Sequence, residues 1–139
     1  MKTLALQKYI ISELYKGQPF AYESDGKDVY ISDCFRVWKL PYDLIFINLA
    51  EMKEAKVKKF LANGDKAKIK FEEIYTGGFS RYRFGEVEGV KTFYNPKLLD
   101  FFENFKMYKL DFEPKGPIFI KEEGELVGMI MPVEGEENG

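Results

Sequence analysis

The apolar positions at the start of the chain recur with the period of a helix. Leu6, Ile10 and Leu14 are spaced four residues apart, and apolar residues at this spacing fall on one face of an α-helix. Gly17 follows the pattern, and glycine is the residue most often found just past the end of a helix. The sequence therefore predicts a helix over residues 3–16.

Runs of aromatic and β-branched residues after this helix predict strands. Asp25 and Gly26 lie between the first two runs, and an Asp-Gly pair in that position is typical of a hairpin closed by a type I′ turn. The run FRVWKLP predicts a third strand that ends at Pro41. In the middle of the chain, KAKIKFEEIY and FSRYRFGEVEG predict a second hairpin around Thr76-Gly77-Gly78.

Two further helices are predicted downstream. The spacing of the apolar residues between positions 48 and 62 favours a central helix that starts at Asn48 and ends at Ala62. After the short strand VKTFY, Asn95 is a suitable N-cap and Pro96 a suitable first helical residue. The next apolar side chains fall on one helical face: Leu98, Phe101, Phe102 and Phe105. KMYKLDFE, PIFIK and LVGMIMPV then predict three strands.

The order of these elements predicts the fold class. A helix and three strands are followed by a central helix and hairpin, and then by a strand, a helix and three strands. We therefore predict an α+β fold in which two helices pack on antiparallel sheets in a pseudo-repeated helix/three-strand plan. A length of 139 residues fits one domain, here residues 1–133 with a variable central part at 43–90. Residues 134–139 are predicted to be a disordered acidic tail.

The composition narrows the chemistry. The chain has no histidine, which removes the usual general base and the commonest zinc ligand. Its one cysteine, Cys34, excludes an internal disulfide and is compatible with a reducing cytosol. No apolar run approaches the length of a membrane span. We expect a cytoplasmic protein with no cofactor, no metal and no membrane partner.

No combination of residues predicts catalysis. Gly77-Gly78 lacks the Lys-Ser/Thr pair of a phosphate loop, and a turn is the simpler interpretation. The acidic pairs are adjacent in sequence, so within a strand their side chains face opposite sides. Cys34 has no histidine to activate it, which favours a small packing residue over a nucleophile. We therefore expect that the protein is not an enzyme.

A lysine-rich stretch between Lys53 and Lys70 leaves two interpretations open. It contains seven lysines and two acids. Lys53, Lys56 and Lys59 would share one face of the central helix, and Lys66, Lys68 and Lys70 one face of a strand. With Arg81, Arg83 and nearby aromatic residues, they would form a basic surface with stacking rings for nucleic acid. An ordinary solvated face is the alternative, and it is the favoured one.

Three segments, read together, resemble bacterial DNA sliding clamps. FAYESDGKDVYISDCFRVWKLP looks like a strand–turn–strand unit that in the clamps closes on Asp-Gly-His-Arg-Leu. Ser32, Asp33, Arg36 and Val37 fit this pattern, whereas Cys34 and Phe35 replace its Gly and His. FYNPKLLDFFENF resembles the strand and last helix of a clamp domain. GPIFIKEEGELVGMIMPV is similar to the terminal hairpin, which ends in Met-Pro-Met or Met-Pro-Val.

The resemblance implies a peptide-binding groove. In the clamps these elements border a groove for short apolar partner peptides. The matching positions are Phe35, Arg36, Val37, Met131, Pro132 and Val133. In that family the two groove elements come from neighbouring domains and a protomer has three domains, so the resemblance implies self-association for a complete groove.

The resemblance also implies that basic helices face DNA. The matching helices carry Lys2, Lys8 and Lys16, and, in or just after the second helix, Lys97, Lys106 and Lys109. Together with the basic stretch, the nucleic-acid candidates are Lys2, Lys8, Lys97, Lys56, Lys59, Lys68, Arg81 and Arg83.

The function expected from these observations is association without bond chemistry. The first hypothesis is a clamp-like binding module for a replication protein, for DNA, or for both. The alternative is a decoy or inhibitor that mimics clamp geometry without encircling DNA, favoured by the single domain and the pI of about 5.4. A single-domain protein of this kind would suit a phage or a mobile element. A carboxylate-based enzyme is the third hypothesis and the least supported.

Overall fold

A computed structural model describes residues 1–74 and 81–133 of the chain. Its α-helix, α1, spans Thr3–Tyr15, and Gly17 follows it with φ of +88°. The predicted first helix is therefore confirmed, together with its terminating glycine. The rest of the described chain forms strands and short 3₁₀ turns, so the α+β class is confirmed as well.

The strands form one large sheet and one small sheet. The large sheet has eight strands in the order β4-β1-β2-β3-β11-β10-β9-β5, and the small sheet has the order β6-β7-β8. In chain order the strands are β1 Ala21–Ser24, β2 Asp28–Ser32, β3 Arg36–Pro41, β4 Lys53–Glu54, β5 Ile69–Phe71, β6 Glu73–Ile74, β7 Arg83–Val87, β8 Val90–Tyr94, β9 Phe105–Lys109, β10 Ile118–Glu122 and β11 Glu125–Ile130. The 3₁₀ turns are Tyr42–Leu44, Leu49–Glu51, Lys58–Leu61, Gly64–Lys66 and Pro96–Leu99.

Two antiparallel meanders form the middle of the large sheet. The first consists of β1, β2 and β3, and the second of β9, β10 and β11. They are joined by the antiparallel pairing of β3 with β11, in which Arg36 lies opposite Ile130. The prediction of three consecutive strands in each half is confirmed for both halves.

The large sheet is covered on both faces. Leu6 and Ile10 of α1 are fully buried in a core that also contains Ile31 and Trp38 of the sheet. On the other face, residues 55–67 cover a second core, in which Val57 and Leu61 are buried with residues of β2, β10 and β11. Strands buried on both faces require apolar residues at successive positions, which explains the short continuous apolar runs of β2 and β10.

The first hairpin forms at Asp25-Gly26 as predicted, but its turn differs from the predicted type. The Asp25 N–H donates to the carbonyl oxygen of Asp28 (3.2 Å), which leaves Gly26 and Lys27 as the central residues. Of these two, Gly26 has a positive φ, of +87°, and Lys27 does not. A positive φ at the first central residue alone is typical of type II′, whereas type I′ requires it at both.

The predicted central helix from Asn48 to Ala62 is wrong. This segment makes two 3₁₀ turns on either side of the short edge strand β4. Several of its backbone N–H groups bond outside the segment: Ala55 donates to the Tyr22 carbonyl (3.0 Å), and Val57 donates to the Glu23 carboxylate (2.9 Å). Met52, Val57 and Leu61 are the buried positions, and the step of five residues from Met52 to Val57 does not follow a helical face.

The second predicted helix is much shorter than expected. Asn95 caps it as predicted, accepting from the Lys97 N–H (3.0 Å), but it is a single turn, Pro96–Leu99. The Phe101 carbonyl accepts instead from the Lys2 N–H (2.9 Å), and the Glu103 N–H donates to the Glu122 carboxylate (2.7 Å). These tertiary partners replace the bonds of a continuing helix, and Phe105 begins β9.

The second hairpin is present, with its first strand divided between the sheets. Ile69–Phe71 pairs with β9 in the large sheet, and Glu73–Ile74 pairs with β7 in the small sheet. The predicted turn at Thr76-Gly77-Gly78 and the predicted tail at 134–139 lie outside the described residues.

Candidate functional site

Two of the predicted groove elements meet at one end of the β3–β11 pair. The Met131 N–H donates to the carbonyl oxygen of Phe35 (2.9 Å), one residue beyond the paired Arg36 and Ile130. The side chains of Phe35 and Met131 are 63% and 37% exposed. Because backbone bonds fix the two segments while their side chains face solvent, they form one apolar surface. We call Phe35, Met131, Pro132 and Val133 the Phe35–Met131 surface.

The turn from Ser32 to Arg36 holds Phe35 in its exposed position. The Asp33 carboxylate accepts from the backbone N–H groups of Phe35 and Arg36, both at 3.0 Å, and the Ser32 hydroxyl oxygen accepts from the Cys34 N–H (3.2 Å). Cys34 has a φ of +80°, a region that side-chain-bearing residues rarely adopt. The turn is therefore fixed by polar side chains and turns Phe35 outward.

Arg36 lies beneath this surface and does not line it. Its guanidinium is buried, with Nε donating to the Asp33 carboxylate (3.0 Å) and Nη2 donating to the Tyr9 hydroxyl (3.2 Å). It also lies over the Trp38 ring at 4.4 Å from the centroid. A buried guanidinium with these partners supports the packing of α1 on the sheet. Arg36 therefore supports the surface from below instead of lining it, and its contact with a peptide stays a prediction.

Val37 is buried as well, on the opposite face of the sheet from Arg36. It is 1% exposed and belongs to the core under residues 55–67. Of the six predicted groove residues, Arg36 and Val37 form the support and the other four reach the surface. A sequence match to a motif does not distinguish these two roles, because neighbouring strand residues point to opposite faces.

A cavity of about 380 Å³ lies beside Phe35. One wall comes from Tyr9 and Glu13 of α1, another from Gln18, Pro19 and Phe20, and the third from Asp33, Cys34 and Phe35. None of the predicted site residues lies in the first two walls. Tyr9 lies off the Leu6–Ile10–Leu14 stripe and is half-buried against the core, so a large aromatic side chain at the border of this stripe was the available signal.

The segment after β11 connects the two sheets. Met131 bonds to the large sheet at Phe35, and the Val133 N–H donates to the Phe93 carbonyl (2.9 Å) on the edge of the small sheet. Pro132, which has no N–H, lies between these bonds. Both groove elements therefore come from one chain, and self-association is not needed to bring them together.

A second apolar patch lies on the other flank of α1. The buried Gln7 amide binds an extended segment, accepting from the Phe46 N–H (2.9 Å) and donating to the Leu44 carbonyl (3.0 Å). Leu44 and Phe46 consequently point away from the core, and each is about half exposed. None of the predicted site residues belongs to this patch.

The nucleic-acid candidates are all exposed, but they do not form one surface. Lys2 and Lys8 lie on α1, and Lys97 lies on the nearby Pro96–Leu99 turn. The remaining five come from three other regions: Lys56 and Lys59 from the cover over the second core, Lys68 from the residues before β5, and Arg81 and Arg83 from the small sheet. The predicted helical face of Lys53, Lys56 and Lys59 does not exist, since the segment is not a helix.

Lys109 is a structural lysine, contrary to its expected place near DNA. It is 2% exposed, and its Nζ donates to the Thr92 hydroxyl (3.2 Å) and to the Glu113 and Gly116 carbonyls (2.7 and 3.1 Å). Burial lowers the pKa of the Lys109 ammonium. The side chain connects β9, the small sheet and the loop that precedes β10.

Comparisons and searches for other sites add no further assignment. Within residues 1–74 and 81–133, no group of three or more cysteine and acidic side chains is arranged to hold a metal ion. No helix in these ranges is long and apolar enough to cross a membrane. No protein-family model, curated protein or solved structure matches the chain. The clamp resemblance accordingly stays a prediction based on the three sequence segments.

Proposed function

We propose that the chain is a non-enzymatic, clamp-like binding module that holds an apolar segment of a protein partner on the Phe35–Met131 surface. The observation that carries this proposal is the bond between Met131 and Phe35, with both side chains left exposed. Two distant parts of the chain thus present apolar side chains from a fixed backbone. Exposed aromatic and methionine side chains on a rigid support are typical of protein-binding sites.

The cavity beside Phe35 supports binding of a peptide in particular. Its volume of about 380 Å³ would hold one or two large apolar side chains. Tyr9 and Phe20 provide apolar walls, and the exposed Met131 would adapt to the shape of the bound segment because its side chain is flexible. Glu13 and Asp33 border the cavity, and the charge of Asp33 is matched by the buried Arg36. Among the described residues Glu13 has only an exposed Lys16 at 3.9 Å, so its carboxylate would favour a partner segment that carries a lysine or arginine nearby.

A protein partner is favoured over duplex DNA by the distribution of charge. Duplex binding requires several cations that follow the phosphate backbone. The basic candidates here lie in separate regions, and one of them, Arg83, is paired with the Glu73 carboxylate at 2.9 Å. The net charge of −2 adds no general attraction to DNA.

The clamp-like plan is supported by the order of the strands. Two three-stranded meanders joined side by side agree with the pseudo-repeat that the motifs imply. The second long helix of that plan is absent from the described residues, where Pro96–Leu99 takes its place. The alternative of a decoy for a replication protein would use the same surface, and self-association would distinguish it from a ring-forming module.

The test is binding of fluorescein-labelled peptides that carry a pair of large apolar residues and a flanking lysine, followed by fluorescence anisotropy. Phe35→Ser and Met131→Ser should each weaken binding about tenfold or more, because exposed anchors at a binding site contribute about 1–2 kcal/mol. Their free energies of unfolding should change by less than about 0.5 kcal/mol, as for exposed positions generally.

Phe60→Ser is the matched control. Phe60 is exposed, as Phe35 is, but lies in the Lys58–Leu61 turn and does not line the cavity beside Phe35. It should bind the peptides as the wild type does. Equal affinity of wild type and Phe35→Ser, or absence of binding to every peptide, would contradict the proposal.

A further inference from the structure

The small sheet has one packed face and one solvent-facing face. On the packed face, Gly85 approaches the Phe71 ring so closely that an added Cβ would lie 2.6 Å from its Cζ. The buried Tyr94 on this face donates its hydroxyl hydrogen to the Glu73 carboxylate (2.7 Å). Since strand side chains alternate, residues 84 and 93 point to the other face. Within residues 1–74 and 81–133, neither of these side chains belongs to the two cores of the large sheet.

Two phenylalanine rings form the centre of the solvent-facing side. Phe84 and Phe93 are directly opposite each other in the β7–β8 register, with ring centroids 5.3 Å apart and an interplanar angle of 45°. Both are half-buried. Ile74, opposite Phe84 on the neighbouring strand, is exposed. We call Ile74, Phe84, Lys91 and Phe93 the aromatic face.

One cation lies over a ring at this face, and a second lies over a ring in the residues just before β7. The Lys91 Nζ is 5.0 Å from the centroid of Phe84, and the Arg81 guanidinium carbon is 5.0 Å from the centroid of Tyr82. Arg83, on the packed face, is instead paired with Glu73. In the part of the chain that the structure describes, no carboxylate lies within ion-pair distance of Lys91 or Arg81.

We infer that the aromatic face binds single-stranded nucleic acid. Bases of a single strand stack on aromatic side chains of an open sheet face, and the phosphates between them contact neighbouring lysines and arginines. Phe84 and Phe93 would take two bases. The base on Phe84 would displace the Lys91 ammonium from its place over that ring, and Lys91 and Arg81 would then contact the phosphates. A duplex would not bind in this way, because its base faces are already stacked on each other. Val133 of the Phe35–Met131 surface lies opposite Phe93 at the edge of β8, so the two surfaces adjoin. The inference does not depend on the function of the Phe35–Met131 surface.

The charges limit the expected affinity. Glu86 lies directly opposite Lys91 in the register and on the same face, and its carboxylate repels phosphate. With two phosphate contacts, the slope of log K against log salt should be about −1.4, since each contact on a single strand contributes about −0.7. Binding should therefore be weak and readily measured only at low salt.

The experiment is fluorescence anisotropy of the full chain with a labelled oligothymidine of about 12 nucleotides and with a duplex of the same length. Salt is varied from about 25 to 200 mM. Oligothymidine should bind and the duplex should not. Phe84→Leu and Phe93→Leu should each weaken binding about tenfold, and Lys91→Gln should reduce the magnitude of the salt slope by about 0.7.

The Lys59–Phe60 pair is the matched control, because its ammonium lies over an exposed ring at 5.4 Å but on no sheet face. Phe60→Leu should leave binding unchanged. Lys91→Gln keeps both rings and tests the site even if a leucine variant fails to fold. The inference would be overturned if the folded wild type failed to bind oligothymidine at low salt. That result is expected if the face binds a protein instead. It would also be overturned by equal losses in Phe60→Leu.

Discussion

The turns at Ser24–Asp28 and Ser32–Arg36 have the same hydrogen bonds and different central residues. In each, a serine hydroxyl oxygen accepts from the N–H two residues later, at 3.2 Å in both. In each, one oxygen of an aspartate accepts from two backbone N–H groups, Asp25 in the first turn and Asp33 in the second. The residue with positive φ is Gly26 in the first turn and Cys34 in the second.

The other oxygen of each aspartate shows the second difference. Asp25 accepts from the Lys58 Nζ (2.9 Å), whose side chain is half exposed. Asp33 accepts from Arg36, whose side chain is buried. The first turn connects surface elements, whereas the second connects the Phe35–Met131 surface to the buried guanidinium below it. The same serine and aspartate hydrogen bonds therefore close a hairpin at both turns. Only at Ser32–Arg36 do they also support the Phe35–Met131 surface.

The largest effect is expected from Asp33→Ala. It removes the carboxylate partner of a buried guanidinium, which should destabilise the fold by about 3 kcal/mol, because loss of one member of a buried ion pair leaves an uncompensated charge. Asp25→Ala should cost clearly less, since the Lys58 ammonium is hydrated once released. Urea unfolding of both variants measures the difference.

Asp33→Asn is the control for this prediction. It keeps the oxygen that accepts from the two backbone N–H groups and removes the charge. If Asp33→Asn were as stable as the wild type, the turn bonds and not the ion pair would account for the loss in Asp33→Ala.

An intermediate effect on stability is expected from substituting the residue of positive φ in each turn. Cys34→Gly should stabilise the fold by about 1 kcal/mol, because a side chain in the left-handed region costs about 1–2 kcal/mol and the flexibility of glycine offsets part of the gain. Gly26→Ala should destabilise it by about 1 kcal/mol, and this cost is conformational because nothing lies within 4 Å of the added Cβ.

Thermal and urea unfolding measure both changes. Cys34→Ser keeps a side chain at the same φ and should match the wild type, which separates the backbone effect from any effect of the thiol. A destabilised Cys34→Gly variant would show that Cys34 contributes packing that outweighs its conformational cost.

The smallest effect concerns the acid side of the stability curve. The hydrogen bond from Lys58, together with the N–H groups of Asp28 and Lys27, holds the pKa of Asp25 well below its ordinary range. A carboxyl with a lowered pKa in the folded state contributes stability above its unfolded pKa of about 4, and this contribution is lost as the pH falls.

Asp25→Asn should therefore lose less stability than the wild type between about pH 6 and about pH 3. Urea midpoints at the two values measure the difference, with Asp43→Asn as an exposed control outside the Ser24–Asp28 and Ser32–Arg36 turns. Identical losses for wild type and Asp25→Asn would show that the Lys58 pairing does not persist in solution.

Patterns of neighbouring residues correctly predicted the elements whose backbone hydrogen bonds join residues close in sequence. The first helix follows from its apolar spacing and Gly17, and the hairpins follow from Asp25-Gly26 and from alternating strands. The turn at Asn95-Pro96 was predicted as a helix start, but how far it continues is decided by Lys2 and Glu122, which are remote in sequence. The predicted helix over residues 48–62 is wrong for the same reason, because the N–H groups of Ala55 and Val57 bond to Tyr22 and Glu23.

The candidate site was predicted in part. The motif match located both segments of the Phe35–Met131 surface, and their adjacency follows from the pairing of β3 with β11. The burial of Arg36 could not be read from the sequence, because an arginine near an aspartate is equally consistent with a solvated surface pair. Its position depends on Tyr9, Trp38 and Phe101, which surround it only after α1 packs on the sheet.

The pairing of β3 with β11 has a consequence for the order of folding. Each meander is closed by short hairpins and can form from neighbouring residues, but joining the two requires closure of a loop that spans most of the described chain. Such a step is entropically costly and slow. Phe35 and Met131 come together only in this step. A partner that requires both residues would therefore bind only molecules that have completed the β3–β11 pairing. It would not bind a nascent chain that ends before residue 131.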